Sequence, residues 1–295
     1  SKKVKYTVET NRVNLELGEK SGELFYTSYT RNPPVFGINK ERPIAFVFNG
    51  GPGSSSVWLH LGLLGPKRVQ LADDQHVTGP AYQLVDNEQS ILDKCDLVFI
   101  DPIGTGFSQA SKEDERAFYG VNEDVKAVGI FIEQYLSEHQ RWNSPRFLIG
   151  ESYGTTRAAK LSEHLHNRGI YLNGIVLVSA VLQFQSIRFG SGNDLPYSLF
   201  LPSYAATAWH HKAVDCGDCT LESFVEEARS FARSEYALAL MAGSRISAEE
   251  RQHVLGKLSY FTGLQEAELD RVNLRPSRSF FGAHLLEDQE IVGRF

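Results

Sequence analysis

A serine flanked by glycines is the strongest chemical signal in this sequence. Gly150-Glu151-Ser152-Tyr153-Gly154 matches the pattern Gly-x-Ser-x-Gly, in which the serine occupies a sharp turn between a strand and a helix. The glycines let both elements approach closely, and the start of the helix stabilises negative charge beside the hydroxyl. An apolar run precedes this serine and a helical pattern follows it. The context predicts a nucleophile, and the alternative is a purely structural turn.

A glycine-rich loop is the second candidate for chemistry. Asn49-Gly50-Gly51-Pro52-Gly53 follows the apolar run at residues 43–48. Two exposed backbone N–H groups aimed at one point can stabilise the oxyanion of an acyl-transfer intermediate. A phosphate-binding loop is the alternative, but no lysine stands at the Walker spacing and no Gly-x-Gly-x-x-Gly is completed. The sequence therefore favours an oxyanion loop.

Alternating strands and helices must position these two motifs. Continuous apolar runs predict core strands at residues 43–48, 97–100, 146–149 and 174–178, and helical periodicity predicts helices at 121–138 and 155–167, the first with Asn122 as its N-cap. Strands that alternate with helices are typical of a parallel sheet with right-handed crossovers. Before them, alternating runs predict three antiparallel strands at residues 5–10, 12–17 and 23–29.

The pattern changes near residue 180. Helices are predicted at residues 197–211, 221–242 and 247–261, with a less regular segment at 272–285. We therefore expect two parts. Residues 1–180 would form the N-terminal part of an α/β core, and residues 181–295 a helical cap inserted over the sheet.

Composition excludes several classes of function. The 295-residue chain is 42% apolar and 22% charged, as in ordinary globular proteins. Its formal net charge of −6 argues against nucleic acid as a partner, because phosphate binding needs a basic surface. No apolar run approaches the roughly 18 residues of a membrane-spanning helix, so no membrane association is predicted.

Three cysteines, Cys95, Cys216 and Cys219, are too few for a disulfide-stapled scaffold. Cys216 and Cys219 follow His210-His211, and two histidines with two cysteines could bind zinc. The spacing is not a standard one, however, and two thiols or a local disulfide is the favoured interpretation. No metal and no cofactor is predicted.

Three blocks in a fixed order carry a family resemblance. Asn49-Gly-Gly-Pro-Gly-Ser-Ser55, Asp101-Pro-Ile-Gly-Thr-Gly-Phe-Ser108 and Gly150-Glu-Ser-Tyr-Gly154 resemble the hallmark blocks of the serine carboxypeptidases (S10 type), in particular the bacterial carboxypeptidase-related proteins. The resemblance implies an α/β-hydrolase fold, with a mostly parallel central sheet and a helical cap insertion. It also implies a secreted or periplasmic protein, whereas the low cysteine content fits the cytoplasm too.

The resemblance implies a role for each residue of the site. Ser152 would be the nucleophile, and the backbone N–H groups of Gly51 and Tyr153 would form the oxyanion hole. Asn49 and Glu151 would bind the free carboxylate of the substrate's C-terminus. Glu151 and that carboxylate would then share one proton, so peptidase activity is expected to fall as the pH rises above about 6.

The remaining catalytic groups are harder to locate. Hydrolases of this class need an acid and then a histidine after the serine. Asp194, Asp215, Asp218, Asp270 and Asp288 are the candidate acids, and His210, His211, His253 and His284 the candidate bases. None follows a strand-like run, so surface or capping roles are favoured. We expect this chain to lack the C-terminal part of the fold, and the catalytic Asp and His to lie on a missing segment or on a second chain.

The favoured function is a serine-type carboxypeptidase that acts on peptides through an acyl-enzyme on Ser152. An acyltransferase or esterase on the same scaffold is the alternative, and a catalytically inactive peptide-binding module is a further one. The expected partners are a peptide substrate and the second chain or C-terminal fragment that supplies Asp and His.

Overall fold

The computed structural model describes residues 3–32, 41–70 and 82–287 of the chain. The chain divides into two compact units, residues 1–182 and residues 183–295. The strands of the first unit are β1 (Tyr6–Leu17), β2 (Lys20–Arg31), β3 (Ile44–Phe48), β4 (Lys67–Val69), β5 (Leu84–Asp86), β6 (Asp96–Asp101), β7 (Gln109–Ala110), β8 (Arg146–Glu151) and β9 (Gly174–Val178).

The main sheet has the order β1-β2-β6-β3-β8-β9. β6, β3, β8 and β9 are mutually parallel, whereas β1, β2 and β7 join by antiparallel pairing. β3 and β6 are buried along their whole length, as continuous apolar strands are when both faces of a sheet are covered. The predicted α/β class with a mostly parallel central sheet is therefore confirmed.

The N-terminal strands differ from the prediction. The expected runs at residues 5–10 and 12–17 are one strand, β1, which forms a long hairpin with β2. Asn11 stays in register opposite Tyr26, because no glycine or proline interrupts the chain there. The chain turns only at Gly18, whose φ of 65° suits glycine.

Two helices of the first unit cover the sheet. α1 (Val121–Glu138) has the predicted bounds, and α2 (Tyr153–Asn167) follows β8 directly. The N-cap of α1 is Gly120 and not Asn122, which lies inside the first turn. The core of this unit includes Phe131 and Leu161, which are fully buried.

The second unit is helical. Its helices are α3 (Leu195–His210), α4 (Leu221–Phe231), α5 (Ala237–Ala242), α6 (Ala248–Thr262), α7 (Glu266–Arg271) and α8 (Arg278–His284). The predicted helix 221–242 is continuous but contains a π-helical turn at Ala232–Tyr236. Capping boxes at Thr220 and Ser247 begin α4 and α6.

Shorter segments complete the description. A π-helix spans Leu59–Leu64, and 3₁₀ turns span Ile91–Asp93, Glu115–Phe118, Phe184–Ser186 and Gly243–Arg245. Cys216 and Cys219 form a disulfide, whereas Cys95 is a buried free thiol. Within the described ranges, each helix is too short or too polar to cross a bilayer.

Candidate active site

Ser152 occupies the turn between β8 and α2. Its φ of 55° and ψ of −123° are uncommon for a residue other than glycine. Neighbouring groups hold this conformation. The Ser152 N–H donates to the Val178 carbonyl at 2.9 Å, and the Ser152 carbonyl accepts from the Thr155 hydroxyl at 2.7 Å. A strained backbone at this corner is the geometry expected of a nucleophile elbow.

The glycines of the elbow are sterically required. A Cβ atom on Gly150 would lie 2.5 Å from the Gly154 carbonyl carbon, and one on Gly154 would lie 2.8 Å from the Phe48 carbonyl oxygen. The neighbours in both cases are backbone atoms, which cannot rotate away. The pattern Gly-x-Ser-x-Gly is therefore explained by how closely the strands and the helix approach.

The glycine-rich loop after β3 packs directly on this elbow. A Cβ atom on Gly50 would lie 2.7 Å from the Glu151 carbonyl oxygen and 2.8 Å from the Gly154 nitrogen. Gly51 has a φ of 106°, which only glycine adopts without strain. The predicted oxyanion loop and the predicted nucleophile thus adjoin each other through backbone contact at Gly50.

Asn49 and Glu151 form a polar pair beside the serine. Asn49 Nδ2 donates to Glu151 Oε2 at 2.9 Å, and Asn49 Oδ1 accepts from the Leu59 N–H at 3.0 Å. Asn49 is completely buried, whereas Glu151 is half-buried. The two residues that resemble a carboxylate-binding pair are therefore brought together at the elbow.

A buried ion pair beneath the elbow was not predicted. Arg157 on α2 donates from Nε to Asp124 Oδ2 at 2.8 Å, and from Nη1 to the Asn49 carbonyl at 2.8 Å. Burial raises the pKa of Asp124, and the nearby Arg157 opposes that rise. The sequence does contain a signal, because a charged residue interrupts the buried helical row of Tyr153, Leu161 and Leu165.

The block at residues 101–108 connects neighbouring loops through hydrogen bonds. The buried Asp101 carboxylate accepts from the Ser56 N–H at 2.9 Å, and burial raises its pKa. A Cβ atom on Gly106 would lie 2.7 Å from Asp101 Cγ, which explains that glycine. Ser108 Oγ donates to the Asp101 carbonyl at 2.5 Å and accepts from the Phe25 N–H at 2.7 Å. These contacts are structural, and they tie the segment after β6 to the segment after β3.

The candidate acids and histidines have other roles in the second unit, as the sequence favoured. Three of them form ion pairs or charged hydrogen bonds: Asp194 with Arg275, Asp270 with Arg251, and His253 with Glu235. Two others contact the backbone. Asp215 accepts from the Gly217 N–H, and His284 Nδ1 donates to the Phe280 carbonyl. His210 ends α3, His211 caps it, and Asp218 is exposed. Asp288 lies outside the described residues.

No partner for the serine hydroxyl emerges from the described part of the chain. Within residues 3–32, 41–70 and 82–287, no histidine forms a hydrogen bond with Ser152 Oγ. The zinc alternative also loses two of its four ligands, because Cys216 and Cys219 are joined to each other and present no thiolate.

Comparison with known proteins matches this chain to serine carboxypeptidases. A family model described as serine carboxypeptidase matches residues 5–242. Serine carboxypeptidase-like 5 of Arabidopsis thaliana is 33% identical over 139 residues, which are 46% of this chain and 30% of that protein. The pheromone-processing carboxypeptidase KEX1 of Saccharomyces cerevisiae (strain JAY291) is 26% identical over 290 residues, which are 92% of this chain and 37% of that protein.

A solved structure shares the fold. The crystal structure of Kex1(delta)p, a prohormone-processing carboxypeptidase from Saccharomyces cerevisiae, aligns with a TM-score of 0.52 at 22% identity. The alignment covers 86% of this chain and 53% of that one. The chain thus spans about a third of the length of these curated relatives and about half of the solved structure. The α/β-hydrolase fold predicted from the sequence is confirmed.

Proposed function

The chain belongs to the serine carboxypeptidase family, and we propose that it is a serine-type carboxypeptidase that removes C-terminal residues from peptides. One observation carries the proposal beyond family membership. The Asn49 amide and the Glu151 carboxyl group form a pair 2.9 Å apart, and Glu151 immediately precedes Ser152 in the chain. Such a pair suits a substrate whose free carboxylate must lie one residue away from the scissile bond.

The proposed reaction proceeds through an acyl-enzyme. Ser152 Oγ attacks the scissile carbonyl carbon, and its proton passes to a general base. The N–H groups of Gly51 and Tyr153 stabilise the oxyanion that forms. The C–N bond then breaks, and the base returns the proton to the amine of the departing C-terminal residue. Water hydrolyses the Ser152 ester in a second step, which restores the hydroxyl.

The substrate carboxylate would lie between Asn49 and Glu151. The Asn49 amide has two N–H donors, of which one reaches Glu151 Oε2. A single proton shared between Glu151 and the substrate carboxylate would bind them together, since two ionised carboxylates would repel each other. An amidated C-terminus offers no such proton-sharing partner, so this pair would discriminate against it.

We propose that the histidine and the aspartate of the triad come from residues beyond those described, on a C-terminal segment or a second chain. The exposure of β9 supports this proposal. Ile175, Val176 and Leu177 are 38%, 48% and 39% exposed, although parallel strands of this composition are normally covered. Among the described residues β9 also ends the order of the sheet, and its outer edge has no strand paired with it there, so an added strand could cover it.

The test compares two peptides with the same sequence, one with a free C-terminus and one amidated. The complete protein should release free amino acids from the first and leave the second intact, and Ser152→Ala should abolish the release. Hydrolysis of simple esters without release of free amino acids from either peptide would indicate the acyltransferase or esterase alternative. Failure of Ser152 to react with a fluorophosphonate, together with retained peptide binding, would indicate the inactive binding module.

A further inference from the structure

A fully buried arginine lies directly beneath the proposed catalytic corner. Arg157 is 1% exposed, although an arginine is almost never fully buried unless it is paired. It shares the inner face of α2 with Tyr153, the residue that follows the proposed nucleophile. Its guanidinium carbon lies 5.3 Å from the centre of the Phe48 ring and 5.2 Å from the centre of the Tyr153 ring. The side chain is therefore held between the end of β3 and the start of α2.

Arg157 joins three elements that the site depends on. Its Nη1 donates to the Asn49 carbonyl at 2.8 Å, where the chain leaves β3 for the glycine-rich loop. Its Nε donates to Asp124 Oδ2 at 2.8 Å and to Oδ1 at 3.1 Å on α1. Asp124 Oδ2 also accepts from the Tyr153 hydroxyl at 3.4 Å. The loop, the elbow helix and α1 thus meet at one guanidinium group.

We propose that Arg157 is a positioning residue for the peptidase reaction, because it fixes the Asn49 to Gly50 peptide plane against the Ser152 elbow. The inference rests on the proposed function and assigns Arg157 a part in it. The Asn49 carbonyl and the Gly50 N–H belong to one rigid plane. Holding that carbonyl fixes the start of the loop that leads to the Gly51 N–H, and it fixes the backbone from which the Asn49 side chain reaches Glu151. Arg157 is buried and its hydrogen bonds go to Asp124 and the Asn49 carbonyl, so its proposed effect is exerted through these residues.

The chemistry of this contact requires arginine. A planar guanidinium donates in several fixed directions, so it can reach a carboxylate and a carbonyl oxygen simultaneously. Lysine would place one compact charge near Asp124 and leave the Asn49 carbonyl without its donor. Arg157→Lys should therefore keep most of the free energy of unfolding, but it should no longer hold the loop that begins at Asn49 in place.

The discriminating experiment separates positioning from folding. Arg157→Met alone leaves Asp124 buried and unpaired, which destabilises the fold. The double variant Asp124→Asn with Arg157→Met removes both charges, and such replacement is often neutral for stability. We expect the double variant to unfold near the wild-type midpoint while its kcat on a free-ended peptide falls roughly 100-fold.

A buried ionic cluster at the opposite end of the parallel strands supplies the control. Arg141 is 3% exposed and pairs with Asp96 at 2.7 Å, and Arg42 pairs with the same carboxylate at 2.8 Å. Arg141→Met therefore removes a buried charge but leaves Asp96 paired with Arg42, and it should keep a wild-type kcat when assayed below its unfolding temperature. A kcat loss of equal size in Arg141→Met and in the Arg157 double variant would overturn the proposal, because the loss of any buried arginine would then have the same effect.

Amide hydrogen exchange tests the inference without relying on activity. Positioning predicts faster exchange at residues 50–56 in both Arg157→Met variants, and unchanged exchange there in the Arg141 control. If the wild type released no amino acids, the proposed function would be wrong. The exchange rates at residues 50–56 would still show whether Arg157 holds the loop in place. Wild-type exchange in that loop and a wild-type kcat in the stable double variant would together refute the inference.

Discussion

Asn49 Nδ2 lies 2.9 Å from Glu151 Oε2, so an amide at the end of β3 and a carboxyl group at the end of β8 form one unit beside Ser152. β3 and β8 are adjacent parallel strands, and their carboxyl ends meet at the same edge of the sheet. Asn49 is anchored from behind by the Leu59 N–H and by Arg157. The pair is therefore preorganised, and its chemistry leads to the first prediction.

Binding of a free C-terminus should depend on Glu151. Its carboxyl group lies 2.9 Å from Asn49 Nδ2, so both groups can contact the same end of a peptide. Glu151→Ala removes a hydrogen bond to a charged group, and kcat/KM on a free-ended peptide should fall roughly 10-fold to 100-fold. Initial rates of both proteins on that peptide and on its amidated form provide the test. An unchanged preference for the free end in the variant would remove Glu151 from carboxylate binding.

Gly50 should not tolerate a side chain. A Cβ atom there would lie 2.7 Å from the Glu151 carbonyl oxygen and 2.8 Å from the Gly154 nitrogen, both of which are backbone atoms. Gly50→Ala must push the loop away from the elbow, and we expect kcat to fall at least roughly 100-fold. Gly53→Ala is the matched control in the same loop, since its Cβ atom would meet nothing within 4 Å. Equal rates in the two variants would contradict the close packing.

The parts of the fold that the sequence predicted are those set by local pattern. Apolar runs located β3, β8 and β9, and helical periodicity located α1. The predicted break between residues 10 and 12 was wrong, because alternation alone does not distinguish one long strand from two short ones. A missing turn residue at Asn11 was the available evidence against that break.

The ion pair of Arg157 and Asp124 is a feature that the sequence pattern predicts only in part. Arg157 interrupts an apolar row, which indicates a buried charge, but its partner lies on α1 and is identified only by the packing of α1 on α2. Glycines of the motif blocks have a clearer structural reason, since Gly50, Gly150 and Gly154 would clash with backbone atoms and Gly106 with the Asp101 side chain. Roles for Ser152, Gly51, Tyr153, Asn49 and Glu151 remain predictions that the experiments above address.

Acid should destabilise the first unit through His60. Burial lowers the pKa of His60 to about 4, and its ring stacks on Phe99 with the centroids 4.3 Å apart. The unfolded chain takes up a proton near pH 6.5 but the folded chain does not. The free energy of unfolding should therefore be greatest above about pH 6.5 and fall by up to about 1.4 kcal/mol per unit down to about pH 4.

A conservative variant isolates that contribution. His60 Nε2 lies 2.7 Å from the Tyr29 hydroxyl, and His60→Gln retains a polar group for this contact but cannot titrate. Urea unfolding midpoints at about pH 7 and about pH 4.5 should therefore differ less in the variant than in the wild type. Identical acid sensitivity in both proteins would show that other groups control this transition.

The exposed edge strand tests whether another segment completes the sheet. Val176 on β9 and Val8 on β1 are each 48% exposed, and they lie on the opposite edge strands of the sheet as far as the structure describes it. If a further segment covers β9 in the complete protein, Val176→Asp would bury a charge there, whereas Val8→Asp would leave it in water. Both variants replace valine by aspartate in an edge strand, so the loss of intrinsic strand propensity is similar and cancels in the comparison.

The two variants are compared by their free energies of unfolding. We expect Val176→Asp to lower the free energy of unfolding of the complete protein by at least about 2 kcal/mol more than Val8→Asp does. If the covering segment is a separate chain, the same substitution should reduce its co-purification, and peptidase activity should fall with it. Equal stability in the two variants would show that β9 stays open to water. The proposed source of the catalytic histidine at that edge would then have to be given up.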